Sequence, residues 1–148
     1  YFYPCEDKKE VIKNIFNEIT QNKRDEKDFI SINNRKIMVI AFSKGVLWVN
    51  FQQICSSPRS APDYIEVSKE FHTIVLSEVP MINSDDEARR FISFIDECYD
   101  RKVKLIISAA ELPENLYVKT RLREKYKRTI SRLVEMQSKD YLSQAHLA

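Results

Sequence analysis

Phe71-His72-Thr73-Ile74-Val75-Leu76 and Val103-Lys104-Leu105-Ile106-Ile107 are two short runs of aliphatic and β-branched residues, and what lies between them decides the fold. Val79-Pro80 ends the first run, because proline has no N–H to give to a ladder. Ser84-Asp85-Asp86-Glu87 has the form of a capping box. It opens a helix with Ala88, Phe91, Ile92, Ile95, Cys98 and Tyr99 on one face. Arg101 and Lys102 near the end of that helix suit its dipole. Two strands joined by so long a helical connection pair in parallel through a right-handed crossover.

The flanking sequence supplies the other layers. Ser60 followed by Ala61-Pro62-Asp63 predicts a helix start, with the helix running to about residue 70. Ser56-Ser57-Pro58-Arg59 before it is expected to be a loop. Further upstream, Phe29-Ile30-Ser31-Ile32, the stretch 36–42, and Val46-Leu47-Trp48-Val49-Asn50-Phe51 are separated by Asn33-Asn34 and by Ser43-Lys44-Gly45. Both breaks suit turns, so a three-stranded antiparallel meander is expected. Ile12, Ile15, Phe16 and Ile19 predict an amphipathic helix over 6–22. Residues 113–142 read as helical, broken near 117–120, with Leu122, Tyr126, Ile130, Leu133, Gln137 and Tyr141 facing inward. The fold class is α/β: a mixed sheet with an antiparallel meander and a parallel strand-helix-strand unit, helices packed on the sheet.

Length and composition bound the rest. The 148 residues, 43% hydrophobic and 31% charged, fit one domain (1–148) with a core large enough to need no staple. The longest apolar run, Ile37-Met38-Val39-Ile40-Ala41-Phe42, falls far short of the ~20 residues that span a bilayer. Tyr1-Phe2-Tyr3-Pro4 has no basic n-region or apolar h-region, so no signal peptide is expected. With no initial Met, the chain reads as a piece of a longer protein. Cys5, Cys55 and Cys98 are odd in number and far apart, as reduced structural thiols are. His72 and His146 are isolated and form no metal-ligand pattern.

Chemistry is constrained by scarcity. With Gly45 as the sole glycine, neither a phosphate-cradling GxxxxGK[ST] loop nor a GxSxG nucleophile elbow can be built. Asp85, Asp86 and Glu87 are accounted for by the first turn of a helix. Trp48 is expected to be a core or half-buried aromatic. Thr73-Ile74-Val75-Leu76-Ser77-Glu78 resembles a Walker B strand in which Ser77 replaces the Mg²⁺-binding Asp and Glu78 remains. The strand after the helix resembles the sensor strand of ASCE-type P-loop ATPases, with the polar sensor residue absent or displaced to Ser108. A P-loop-like half without a Walker A loop and convergent α/β patterning both explain this.

Lys119, Arg121, Arg123, Lys125, Lys127, Arg128 and Arg132 are opposed within 119–132 only by Glu124, a net +6 that leaves −4 for the rest of a +2 chain. That helix is a solvated face, a dock for an acidic protein or nucleic acid, or a source of arginine for a phosphate. With only Tyr117 and Tyr126 interleaved, a stacking platform is unsupported and nucleic acid is the less expected partner.

Phe2-Tyr3-Pro4, Ile54-Cys55-Ser56-Ser57-Pro58, Ala61-Pro62-Asp63-Tyr64, Ala88-Arg89-Arg90-Phe91-Ile92, Arg128-Thr129-Ile130-Ser131-Arg132-Leu133 and Glu135-Met136-Gln137-Ser138 together resemble the C-terminal part of the ZapE / Afg-one-like P-loop ATPases. The resemblance implies a longer AAA-type protein that uses ATP and Mg²⁺, with its Walker A loop, Walker B carboxylates and sensor Asn upstream of Phe2. This stretch itself then needs no cofactor. It implies homo-oligomeric assembly and an upstream P-loop core as partner. It implies a cytoplasmic cell-division role in the bacterial branch, near the membrane only through partners, and a mitochondrial quality-control role in the eukaryotic one. Arg89, Arg90, Arg128 and Arg132 become nucleotide-sensing candidates, in cis or in trans. The alternative for them is a structural salt bridge to Asp96, Glu97 or Glu135. For the whole chain, the alternative is an autonomous nucleic-acid or acidic-protein binding module working through helix 119–132.

Overall fold

The computed structural model describes residues 2–3, 9–57 and 59–148. Cys5, Pro4, Pro58 and the expected helix residues 6–8 lie outside them. The elements in chain order are β1 (Phe2–Tyr3), α1 (Lys9–Thr20), β2 (Phe29–Ile32), β3 (Arg35–Met38), β4 (Ala41–Ser43), β5 (Val46–Asn50), a π-helix (Gln52–Ser56), α2 (Ala61–Glu70), β6 (Thr73–Val79), α3 (Asp85–Asp100), β7 (Lys104–Ala109), α4 (Pro113–Leu116), α5 (Arg123–Glu135) and α6 (Lys139–Leu142).

The main sheet runs β1-β7-β6-β5-β4, with β1, β7, β6 and β5 mutually parallel and β4 antiparallel at the edge. β6 and β7 pair as the crossover rule requires, Thr73 opposite Lys104 and Leu76 opposite Ile107. The α/β class with parallel and antiparallel parts is therefore realised. The antiparallel stretch, however, is two hairpins in two sheets rather than one meander. β2 and β3 form a separate two-stranded sheet. The chain changes sheets between two neighbouring residues: Val39 N–H donates to Asp28 O, and Ile40 N–H to Trp48 O.

The sheet is covered on both faces. Leu47, Val49, Ile74, Leu76, Leu105 and Ile107 pack with α2, α3 and α5 in the larger core. Val46, Val75 and Ile106 alternate with them and meet Ile12 and Phe16 of α1 in a smaller one. Period-2 burial on both sides is what makes these strands near-continuously apolar. Trp48 is half-buried against Phe16, ring centroids 5.5 Å apart. α2 and α3 start where their caps put them. Asp63 accepts the Ser60 N–H at 3.1 Å, and Ser84 Oγ accepts the Glu87 N–H at 3.3 Å.

Three local expectations shift. Ser56, expected at the start of a loop, instead ends the π-helix of residues 52–56, which buries Ile54 and Cys55. The inward stripe of α5 is Leu122, Tyr126, Thr129, Leu133 and Met136. That spacing follows the helical phase and leaves Ile130 half-buried and Gln137 exposed. The α1 stripe narrows as well. Ile12 and Phe16 are buried, while Ile19 is exposed.

Candidate functional site

β1 leads to α1 on one face of the sheet, whereas the chain after neighbouring β7 passes to α4 and α5 on the other. Adjacent parallel strands whose connections leave to opposite faces open a crevice at their carboxyl ends, where α/β proteins take ligands. A cavity of about 330 Å³ lies there, lined by Lys9, Glu78, Val79, Pro80, Ser108 and Ala109. A second, of about 260 Å³, continues past Ser77 to Trp48 and Lys13.

The residues expected from Walker B-like patterning meet in this crevice. Glu78 sits in an irregularity of β6 between Leu76 and Val79, with φ +59°, a left-handed conformation that a glutamate adopts only under constraint. Its N–H donates to Ser108 Oγ at 3.1 Å. Its carboxylate faces Lys9 Nζ at 3.5 Å. Ser77 is buried, and its Oγ accepts the indole N–H of Trp48 at 3.0 Å. The fit to Mg-ATP is poor on the Walker B reading of this strand: Ser77, where that reading needs a metal-binding carboxylate, is a neutral hydroxyl bonded to Trp48, and Glu78 stands in an exposed ion pair with Lys9. Among the described residues no group of three His, Cys, Asp or Glu could hold a metal ion. Lys9 escapes sequence reading, since the first residue of a helix carries no pattern that ties it to a strand end far downstream.

The four arginines divide into two kinds. Arg132 donates to the Asp96 carboxylate and lies over the Tyr99 ring at 4.8 Å, with both members of the ion pair three-quarters buried. Arg90 Nη1 donates to Cys55 O at 3.1 Å, tying α3 to the π-helix. Arg128 reaches Asp96 only at 3.8 Å, with its side chain 60% exposed. Arg89 pairs with Asp86 of its own helix at 3.2 Å in solvent. Arg128 and Arg132 share a face over Asp96. Arg89 and Arg90 point to separate surroundings.

Ser56, read above as a loop residue, donates its hydroxyl to the Glu87 carboxylate and so clamps the π-helix to the first turn of α3. Beside Glu87 and Glu78, a third cavity of about 450 Å³ opens onto Asn50 and Gln52. π-Helices recur at functional positions, but no one-dimensional pattern marks this one.

Among the basic residues, Lys119, Arg121, Arg123 and Lys125 are exposed and have no ion pair among the described residues. Lys127 has only Glu124 of its own helix, at 3.4 Å. Neither tyrosine offers a ring to solvent. Tyr126 donates its hydroxyl to Pro113 O, and Tyr117 donates to Asp85 at 2.9 Å while accepting the Leu122 N–H.

No solved structure matches the chain significantly. Sequence comparison does find relatives. The Escherichia coli K12 cell division protein ZapE is 41% identical over 128 residues, covering 85% of this chain and 34% of that protein. An uncharacterised Schizosaccharomyces pombe protein is 38% identical over 92 residues, covering 61% of this chain and 20% of its own length. Lactation elevated protein 1 homolog B of Danio rerio is 28% identical over 107 residues, covering 70% and 21%. The chain thus spans about a third of the length of the bacterial relative. Residues 1–145 match the AFG1-like ATPase family throughout, across the crevice, the arginine pair on Asp96 and the basic helix alike, and the chain belongs to that family.

Proposed function

We propose that this chain is a non-catalytic module of an AFG1-like ATPase. It packs against a P-loop core carried elsewhere in the longer polypeptide, relays the nucleotide state of that core, and supplies contacts for homo-oligomeric assembly or a cell-division partner. The observation that carries the reading is the crevice. The topology offers a ligand position at the carboxyl edge of the sheet, yet Ser77 is spent on Trp48 and Glu78 on Lys9. ATP and Mg²⁺ belong, in this reading, to the longer protein. The similarity to a bacterial cell division protein supports the division role. Among the described residues no helix is long and apolar enough to cross a membrane.

Within this reading the arginines sort by partner. Arg132 and Arg90 hold the module together. Arg128 and Arg89, each held only by an exposed ion pair, are the two accessible to a γ-phosphoryl, in cis or from a neighbouring subunit. The experiment is calorimetric titration of Mg-ATP into the 148-residue chain, together with a phosphate-release assay. No binding at micromolar concentration and no turnover are expected. Micromolar affinity or measurable hydrolysis overturns the reading.

A further inference from the structure

Between the extended segment after α4 and the outer face of α5 runs a groove of about 250 Å³. Its walls are Val118, Lys119, Arg123, Lys127 and Ile130, with Glu114 at one edge and the buried rings of Tyr117 and Tyr126 at its floor. Val118 and Val134 are 73% and 63% exposed, the two highest values among the exposed large hydrophobic residues of the described chain. Arg123, Lys127, Ile130 and Val134 fall at i, i+4, i+7 and i+11, one face of α5 about 16 Å long. The result is an aliphatic track that runs from Val118 and Ile130 in the groove to Val134 beyond it, bordered by three cations, of which Lys127 pairs with Glu124, and with Glu114 at the edge.

A solvated helix face does not combine these features. An ordinary exposed face scatters its aliphatic residues singly and laces its cations with carboxylates. Here the inward stripe takes Thr129 and leaves Ile130 on the groove side. Lys119 and Arg123 have no ion pair among the described residues. The charge calls for an anionic partner. The aliphatic track decides which kind. Duplex DNA is held mostly through its phosphates, which make no use of an aliphatic track, and a single strand needs exposed aromatic faces, whereas Tyr117 and Tyr126 at the groove floor are only 4% and 3% exposed. An acidic polypeptide with apolar side chains uses both components at once, anchors on the track and carboxylates on the rim.

We propose that the groove between Val118 and α5 is a docking site for an acidic peptide segment of a partner protein. Two aliphatic or aromatic anchors of that segment sit at Val118/Ile130 and at Val134, and its Asp or Glu side chains pair with Lys119, Arg123 and Lys127. This goes beyond the module reading and does not require it, because it holds whether or not the chain senses nucleotide.

The test is display of random dodecapeptides on the immobilised chain, followed by fluorescence anisotropy with the enriched peptide. Enrichment of at least two Asp or Glu residues flanking a Leu, Ile, Val or Phe is expected. The affinity of that peptide is expected to fall at least tenfold in Arg123→Glu/Lys127→Glu and at least threefold in Val134→Ser. All three substitutions are at exposed side chains, and their circular-dichroism melts should match the parent. A duplex oligonucleotide of equal or greater charge should compete more than tenfold more weakly than the peptide. Failure to enrich acidic sequences, an enriched peptide indifferent to these substitutions, or a duplex that outcompetes it would each overturn the proposal.

Discussion

Replacing Arg132 by alanine separates the structural arginine from its sensing candidate neighbour. Arg132 and Asp96 are each 24% exposed on the side chain, so their charge-assisted bond is only partly screened. Such a bond contributes about 1.5–3 kcal/mol, and the guanidinium over Tyr99 adds about 0.5–1 kcal/mol at a partly exposed site. Arg128 remains near Asp96 and offsets part of the loss. The expected net cost is about 2–3 kcal/mol, or a fall in Tm of roughly 5–10 °C for a domain of this size. Arg128→Ala breaks only a 3.8 Å pair whose cation is 60% exposed, worth about 0–0.5 kcal/mol. Urea unfolding monitored by Trp48 fluorescence measures both. Equal costs for the two substitutions, or an Arg132→Ala cost below about 0.5 kcal/mol, would refute the assignment of Arg132 to the fold.

Two further perturbations follow from the same geometry. Asp63 is buried, which alone would raise its pKa, but bonds from Arg35, the Ser60 N–H and Asn33 outweigh burial and hold the carboxyl below its ordinary 3.8. A depressed carboxylate contributes stability above that value and loses it as pH falls further. Asp63→Asn should therefore be less stable than the parent at pH 7, by about 1–3 kcal/mol, with the gap closing below about pH 4 in thermal melts. Gly45 has φ +78°, and a Cβ there would lie 2.6 Å from His72 Cδ2. Gly45→Ala should cost at least about 1–2 kcal/mol, read by denaturant midpoint, because left-handed backbone strain and displacement of His72 add.

How much of this was legible depended on whether the relevant force acts locally. The β6–α3–β7 unit could be read from the chain because caps, apolar phase and proline are all local signals, and Ser60 and Ser84 cap the helices expected of them. The division of the antiparallel stretch was not, because the apolar run 37–42 continues unbroken through Val39 and Ile40 while their N–H groups turn to different sheets. The α5 stripe slipped by one residue for a related reason. Hydropathy favours Ile130 over Thr129, yet the helical phase set by Leu122, Tyr126 and Leu133 buries the threonine. At the site, Ser77 and Glu78 were found from strand resemblance. Their partners come from elsewhere in the chain, Trp48 from the neighbouring strand β5 and Lys9 from the start of α1, a juxtaposition that only the sheet order supplies.

That juxtaposition also explains why restoring a single letter would not restore a nucleotide site. In a Walker B strand the aspartate at the Ser77 position faces a metal held against a phosphate chain; here the same position faces an indole. Ser77→Asp would place a carboxylate at a 5% exposed position, oppose its charge to neighbouring Glu78, and replace a hydroxyl that accepts from Trp48. Burial and the like charge both push such a carboxyl's pKa up, so the folded state would favour the protonated acid. The expected outcome is a loss of about 1–3 kcal/mol at pH 7, shrinking as the pH falls toward the ordinary Asp range, with no gain of Mg-ATP affinity by calorimetry. The indole emission of Trp48 should respond in the same titration, since its N–H partner changes charge. A stable Ser77→Asp variant that binds Mg-ATP would mean that the crevice retains the electrostatics of a phosphate site, and that Lys9 serves a ligand rather than Glu78.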